Sequence, residues 1–257
     1  MSNISPNSLF HFTKKIEYLI DIFKRGFQPR FCAEKLQLLE YSSIRGYNLG
    51  IPMTCFCDIS LGQISNHISM YGNYGIGMTK EWALKNKLNP LIYLNTNSDI
   101  SEPLSSFAEI GLTLNNHTDK LVREKAAEIL GIWSKLMMFS KPYSGEISQD
   151  GIIKNIKFYN EREWRYIPLN EKKLPVKTMS IQNMEDSILL EKENNKMMNH
   201  RLRFTPQDVK YIFVDNENEI HKLIENLRKI KSPHYNEKTI DILITKILTT
   251  RQIIEDF

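Results

Sequence analysis

Short segments of strand character, separated by helical segments of uneven length, constrain the fold of this chain more than any other feature. Aromatic, apolar and β-branched residues predict strands at Leu9–Thr13, Met53–Cys57, Leu91–Leu94, Lys154–Pro168, Val209–Val214 and within Ile240–Thr250. The strand at Lys154–Pro168 is centred on Phe158-Tyr159 and on Trp164–Ile167. No regular strand–helix–strand alternation connects these segments. The pattern therefore favours an α+β fold over a doubly wound parallel sheet.

Helices are predicted where apolar residues recur at helical spacing. The first helix is expected to bury the face formed by Ile16, Leu19, Ile20 and Phe23. Gly26 is placed to end that helix, and Thr79 and Asp119 are placed to cap later ones. Pro29–Tyr47 is predicted to be helical or a loop. We interpret residues 1–257 as one domain that carries a helical insertion at about 102–140.

Composition predicts a soluble globular protein, with 41% hydrophobic and 25% charged residues among 257. No apolar run approaches the roughly 20 residues that span a bilayer, and Met1–Phe12 lacks the pattern of a secretory signal. The three cysteines, Cys32, Cys55 and Cys57, fit a reducing compartment, so we expect a cytoplasmic protein without a membrane partner. Cys55-Phe56-Cys57 has poor spacing for zinc, and we expect no metal site.

The net charge of +4 is spread over interspersed acids and bases. This excess permits contact with nucleotide phosphates or nucleic acid without indicating either. No helix-turn-helix or RNA-recognition pattern is visible, which disfavours a dedicated nucleic-acid binder.

Two segments offer candidate ligand-binding residues. His11 and Thr13 end the first strand, where the imidazole can donate a hydrogen bond to a ligand; the alternative is a core histidine beside a helix cap. The glycine-rich stretch Tyr71–Met78 brings Tyr71 and Tyr74, whose rings can stack on a flat ligand group. The alternative there is an ordinary loop with packed tyrosines, because the spacing matches no phosphate-binding fingerprint.

Glu161 and Glu163 are candidate catalytic carboxylates. Two acids two residues apart on a strand point to the same face, and such a pair can stabilise an oxocarbenium-like centre and activate an acceptor. The alternative is a solvated strand face of alternating charge. On the same strand, Trp164 would point the other way, into the core.

Four segments in this order resemble the AbiGi family of phage-resistance proteins: Leu9–Arg30, Ile51–Ile59, Tyr71–Trp82 and Glu161–Pro168. The resemblance extends from about Leu9 to Phe257. AbiGi proteins are associated with abortive infection, in which an infected bacterium stops growing before phage can spread, and carry the label of an antitoxin. The resemblance therefore implies a cognate toxin or antitoxin protein as partner.

The opening His-x-Thr strand, the helix ending in glycine and a later strand-borne glutamate are similar to DarT-like ADP-ribosyltransferases. This resemblance implies a mixed or antiparallel ADP-ribosyltransferase-like sheet core and NAD as the substrate. His11 would contact the adenosine ribose or phosphates, Tyr74 or else Tyr71 would stack on nicotinamide, and Glu163 would bind the nicotinamide ribose.

The same resemblance gives Glu161 a role in activating the acceptor, which would be a protein or a nucleic acid. Arg30 or Arg45 would be the counterpart of an arginine that these enzymes use. The Ser-Thr-Ser element of the arginine-type branch is absent. Two functions follow: an NAD-dependent ADP-ribosyltransferase or NAD hydrolase acting as a toxin or effector, or a non-catalytic antitoxin or regulatory subunit.

Overall fold

The computed structural model describes residues 6–35, 48–149, 152–170 and 177–256. The strands in these ranges are β1 (Ser8–Thr13), β2 (Arg30–Lys35), β3 (Asn48–Cys57), β4 (Tyr74–Thr79), β5 (Asn89–Pro90), β6 (Ile92–Leu94), β7 (Ser140–Pro142), β8 (Gly145–Gln149), β9 (Ile152–Ile156), β10 (Glu163–Tyr166), β11 (Met179–Ser180), β12 (Val209–Val214) and β13 (Ile247–Thr249). The helices are α1 (Ile16–Arg25), α2 (Ser65–Tyr71), α3 (Lys80–Lys85), α4 (Ser101–Asn115), α5 (Lys120–Met138), α6 (Ile181–Glu185), α7 (Ser187–Lys196), α8 (Ile220–Lys231), α9 (Glu237–Ile244) and α10 (Thr250–Asp256). Short 3₁₀ turns include Leu61–Gln63 and Phe158–Glu161.

A nine-stranded mixed sheet forms the centre of the described chain. Its main path runs in the order β13-β12-β4-β1-β3-β10-β5, and β2 and β11 pair with β3 beside that path. All these pairs are antiparallel except β12 with β13. Strands β6 and β7 pair in parallel beside the main sheet, and β8 and β9 form a hairpin. The predicted α+β class is confirmed.

The sheet is interrupted between β1 and β3. Strand β1 pairs with β4 along its whole length, from Ser8 to Thr13. With β3, in contrast, the described register has a single partner pair, Phe10 with Cys57. Beyond that pair the two strands no longer form a ladder, while β3 continues alongside β2 and β10. A gap therefore opens in the middle of the sheet.

Helices cover both faces of the sheet, because neighbouring strand residues alternate between two apolar clusters. Leu9 and Ile212 pack into the larger cluster, which also contains buried residues of α1, α3, α8 and α9. Phe10 and Phe213 pack into the second cluster, which contains residues of α2 and α10. Among the described residues, no helix is both long enough and apolar enough to cross a bilayer.

The predicted helix caps are confirmed. Gly26 ends α1 with a φ of 90°, and a Cβ atom there would lie 2.3 Å from the carbonyl oxygen of Leu202. Position 26 thus requires glycine both for its backbone angle and for space. The Oγ1 atom of Thr79 accepts from the Trp82 amide at 3.2 Å, and the Asp119 carboxylate accepts from the Leu121 amide at 2.7 Å.

Two predicted elements are wrong. Residues 30–35 form strand β2 instead of a helix or loop, and the rest of that prediction, including Arg45, lies outside the described residues. Phe158-Tyr159 belongs to a 3₁₀ turn between β9 and β10 instead of a strand centre. The strand predicted within Ile240–Thr250 is present but short, because helix α9 occupies the first half and β13 begins at Ile247.

The glycine-rich stretch also differs from its loop interpretation, because Tyr74–Thr79 is strand β4. A Cβ atom at Gly75 or Gly77 would lie 2.8 or 2.9 Å from the rings of Phe12 and Phe10, respectively. These glycines leave room for two phenylalanine rings of the adjacent strand. Space for side chains, and not a turn, explains them.

The burial of Trp164 shows to which face of the sheet the side chains of β10 point. It faces the larger cluster, opposite to Glu163 as predicted, but it is half-buried instead of fully buried. Lys80 Nζ lies 5.8 Å from its ring centroid. We therefore expect Trp164→Ala to lower the free energy of unfolding by about 1–3 kcal/mol, below the value for a fully buried aromatic residue. Urea unfolding measures this loss.

Trp82→Ala is the matched control for that experiment. Trp82 is 2% exposed, and its Nε1–H donates to the Arg203 carbonyl group at 3.0 Å. Its removal is expected to cost about 3–5 kcal/mol. Equal losses for the two variants would contradict the partial exposure of Trp164.

Candidate active site

A cavity of about 400 Å³ lies where β1 and β3 separate. It is lined by residues of these two strands, of β2, of α2 and of the segment from the Phe158–Glu161 turn into β10, together with Lys141 of β7. The break in the sheet therefore exposes side chains from distant parts of the chain to one space. Within the described residues, no group of His, Cys, Asp and Glu side chains is arranged to hold a metal ion.

Five of the seven residues singled out from the sequence line this cavity: His11, Arg30, Tyr71, Glu161 and Glu163. Thr13 instead borders a neighbouring cavity of about 780 Å³ between β1, α1 and α7. The two cavities have lining residues in common, including His11 and Arg30. They therefore adjoin each other along the gap in the sheet.

Tyr74 lies outside both cavities. Its hydroxyl group donates to Glu219 Oε1 at 2.9 Å, and its ring packs against the larger apolar cluster. Burial and this contact raise the pKa of Tyr74 to about 12. The preference for Tyr74 over Tyr71 as the stacking residue is corrected, because only Tyr71 of this pair faces the cavity.

His11 spans the gap in the sheet. Its Nδ1 atom lies 2.8 Å from the carbonyl oxygen of Cys55, and its ring contacts Phe27 and Phe56. These contacts place the ring on the sheet face opposite to Glu163, yet it borders both cavities because the ladder is missing there. Burial lowers the pKa of His11 despite the backbone contact. The ring is therefore neutral near pH 7, with Nδ1–H donating to Cys55 and Nε2 left as an acceptor.

Glu161 and Glu163 both bind Lys141. The Lys141 Nζ atom lies 2.6 Å from Glu161 Oε2 and 3.2 Å from Glu163 Oε2. The two acids do not share a strand, because Glu161 ends a 3₁₀ turn and Glu163 begins β10. Arg162 between them has left-handed backbone angles, with φ 44° and ψ 49°. The two carboxylates thus converge through this local turn instead of through the strand alternation that we expected.

Arg165 completes the charged network and is fully buried. Its Nε–H donates to Glu163 Oε1 at 2.5 Å, and its Nη2 group donates to Glu34 Oε1 at 2.8 Å. Its Nη1 group donates to the Met138 carbonyl group at 2.9 Å. Each charge in this buried cluster therefore has an oppositely charged partner, as buried ions require.

The network gives the two acids different pKa values. Burial alone would raise the pKa of Glu163, but Arg165 and Lys141 outweigh burial and lower it to about 2. Burial raises the pKa of Glu161, and Lys141, which it shares with Glu163, compensates only in part. Glu163 is thus a fixed negative charge at the cavity wall. Such a charge can stabilise positive charge that develops on a bound ligand.

Lys141, His67 and Glu34 line the cavity but were missed from the sequence. Lys141 belongs to the short strand after α5, and no motif surrounds it. His67 lies on α2 one turn before Tyr71, and their ring centroids are 6.0 Å apart. The helical spacing of His67 and Tyr71 was a usable signal, because residues four apart share one helix face.

Fold and site together define an α+β protein with a carboxylate-lined cavity at a break in its sheet. A sequence profile described as "Putative abortive phage resistance protein AbiGi, antitoxin" matches residues 26–215. The "Abortive phage resistance protein AbiGi" of Lactococcus lactis subsp. cremoris is 32% identical over 256 residues, spanning 90% of this chain and 100% of that protein. The chain belongs to the AbiGi family of abortive phage resistance proteins. No solved structure matches it.

Proposed function

We propose that this chain acts in abortive phage defence by binding NAD in the cavity and cleaving its nicotinamide–ribose bond. The observation that carries the proposal is the cavity itself. It is lined by an imidazole, a tyrosine and two carboxylates from three separate segments, at His11, Tyr71, Glu161 and Glu163. The sequence resemblance to DarT-like ADP-ribosyltransferases supports the same function.

The charges of the site suit this reaction. Cleavage of the bond between nicotinamide and ribose builds positive charge on the ribose carbon. Glu163 remains ionised at any physiological pH because Arg165 and Lys141 lower its pKa, so it can stabilise that charge. Tyr71, at the cavity lining, offers a ring for the nicotinamide group.

The size of the site suits a dinucleotide. The cavity of about 400 Å³ and the neighbouring cavity of about 780 Å³ meet at His11 and Arg30. An extended ligand can place its nicotinamide riboside half beside the acids and its adenosine half beside Thr13. Arg30, which also pairs with Glu191 at 2.8 Å, lies where the two halves would join.

We expect NAD to stabilise the protein and to be consumed by it. At 100 times its dissociation constant, NAD should add about 2.7 kcal/mol to the free energy of unfolding. Thermal unfolding with and without NAD measures binding, and chromatography of released nicotinamide measures cleavage. A wild-type protein that neither binds nor cleaves NAD, while it still protects cells against phage, would overturn the proposal.

A second candidate is a non-catalytic antitoxin that binds a cognate toxin. The family description names an antitoxin. In addition, both oxygens of Glu163 already accept hydrogen bonds, one from Arg165 and one from Lys141. Expression in a bacterial host separates the candidates. A chain that is toxic alone favours the enzyme, whereas a harmless chain that neutralises the toxicity of a neighbouring gene favours the antitoxin.

A further inference from the structure

His67 is a buried histidine without a hydrogen-bond partner. Its side chain lines the cavity, the residue is 8% exposed, and neither ring nitrogen has a hydrogen-bond partner among the described residues. A buried imidazole that makes no hydrogen bond is costly, because its polar atoms have lost water without compensation. A ligand in the cavity would supply the missing partner.

The surroundings of His67 place it beside the acid pair. Both His67 and Glu161 line the cavity, and the backbone of Glu161 lies near enough to the imidazole to raise its pKa, although the two form no hydrogen bond. Burial lowers the pKa of His67 more than this backbone interaction raises it. The ring is therefore neutral near pH 7 and has one nitrogen able to accept a proton.

Glu161 is less suited to accept a proton. Its Oε2 atom is held by Lys141 Nζ at 2.6 Å, and its side chain is 15% exposed. Burial raises the pKa of Glu161, which favours proton uptake, but the Lys141 cation opposes protonation and already occupies the Oε2 atom. The resemblance to ADP-ribosyltransferases assigns acceptor activation to Glu161, but the contacts favour a different group.

We propose that His67 is a catalytic residue, the base that takes the proton from the acceptor hydroxyl group during ADP-ribose transfer. This inference rests on the proposed function. The C–N bond between ribose and nicotinamide breaks, and its electron pair leaves with nicotinamide. The acceptor oxygen, from water or an alcohol group, bonds to the ribose carbon while its proton passes to the free nitrogen of His67.

The test compares His67→Ala and His67→Gln with the wild-type protein, with NAD as substrate and water as acceptor. We expect turnover to fall about 100-fold in both variants, the usual size of a lost general base, while the NAD dissociation constant stays within about threefold. Imidazole added to the buffer should restore turnover of His67→Ala by filling the space left by the ring. His221→Ala is the control, because the His221 side chain is 84% exposed on α8.

The outcomes separate the two proposals. Wild-type turnover in His67→Ala would overturn the role of His67 alone. So would a loss of turnover that is fully explained by weaker NAD binding, because His67 would then only bind or support the site. If the wild-type protein neither binds nor cleaves NAD, the proposed function fails, and the role of His67 fails with it.

Discussion

Arg165→Met is expected to lower the free energy of unfolding by about 3–5 kcal/mol at neutral pH, the usual cost of breaking a buried ion pair. Arg165 is fully buried and pairs with Glu163 and Glu34. Methionine fills much of the same volume but removes one of the two cations that pair with Glu163, so that Lys141 is the cation that remains. It also leaves the Met138 carbonyl group without its donor.

The same variant should change how stability depends on pH. The pKa of Glu163 is about 2 when folded, below its ordinary value of 4.5. A depressed pKa contributes stability that is present above the unfolded pKa and is lost as pH falls through the folded one. The wild-type protein should therefore lose about 3 kcal/mol from this group between about pH 5 and pH 2. Without Arg165, this acid-dependent loss should largely disappear.

Urea unfolding at several pH values measures both effects. Arg228→Met is the matched control, since Arg228 pairs with Asp241 at the surface and the two side chains are 49% and 57% exposed. Such exposed pairs contribute about 0–1 kcal/mol. Two outcomes would contradict the buried network: equal losses of unfolding free energy in the two variants, or a loss of stability at low pH in Arg165→Met that equals that of the wild-type protein.

Glu163→Gln is expected to reduce nicotinamide release from NAD by about 100-fold or more, if the proposed function holds. Glutamine keeps the size of the side chain and part of its hydrogen bonding but removes the negative charge beside the ribose. Release is measured on wild type and variant together, with phage protection scored in parallel. If the variant no longer releases nicotinamide but still protects cells fully against phage, phage defence does not depend on NAD cleavage.

Folding must be controlled in that assay. The Glu163 side chain is buried and pairs with two cations. Glu163→Gln should therefore also lower stability, so the assay must be run well below the melting temperature of the variant. Glu225→Gln, at an exposed pair on α8, is the control that should change neither property.

Much of the fold follows from local sequence. The face of α1, its end at Gly26 and the caps at Thr79 and Asp119 depend on a few neighbouring residues, and all were predicted. Strand β2 was missed because it is formed by pairing with β3, which no local pattern reports. The glycines of β4 were misread because their reason is the rings of β1, far away in sequence.

The candidate site was likewise predicted only in part, because some of its residues are brought together by tertiary contacts. The sequence brought His11, Glu161 and Glu163 to notice, and the structure places all three at one cavity. It did not indicate Lys141, whose importance arises only when the fold brings its Nζ atom within reach of Glu161 and Glu163. Choosing Tyr74 over Tyr71 failed because the alternation of β4, fixed by tertiary pairing, turns Tyr74 toward α1 and α8.

The left-handed backbone of Arg162 restricts which mutations this site can accept. Glycine, asparagine and aspartate adopt these angles at little cost, whereas a β-branched residue pays about 1–3 kcal/mol. Because the residues on either side carry the two carboxylates, we expect such a change to displace both acids from Lys141, although the side chain at position 162 does not itself line the cavity. Position 162 is thus a point where a substitution outside the cavity lining can change the geometry of the candidate site.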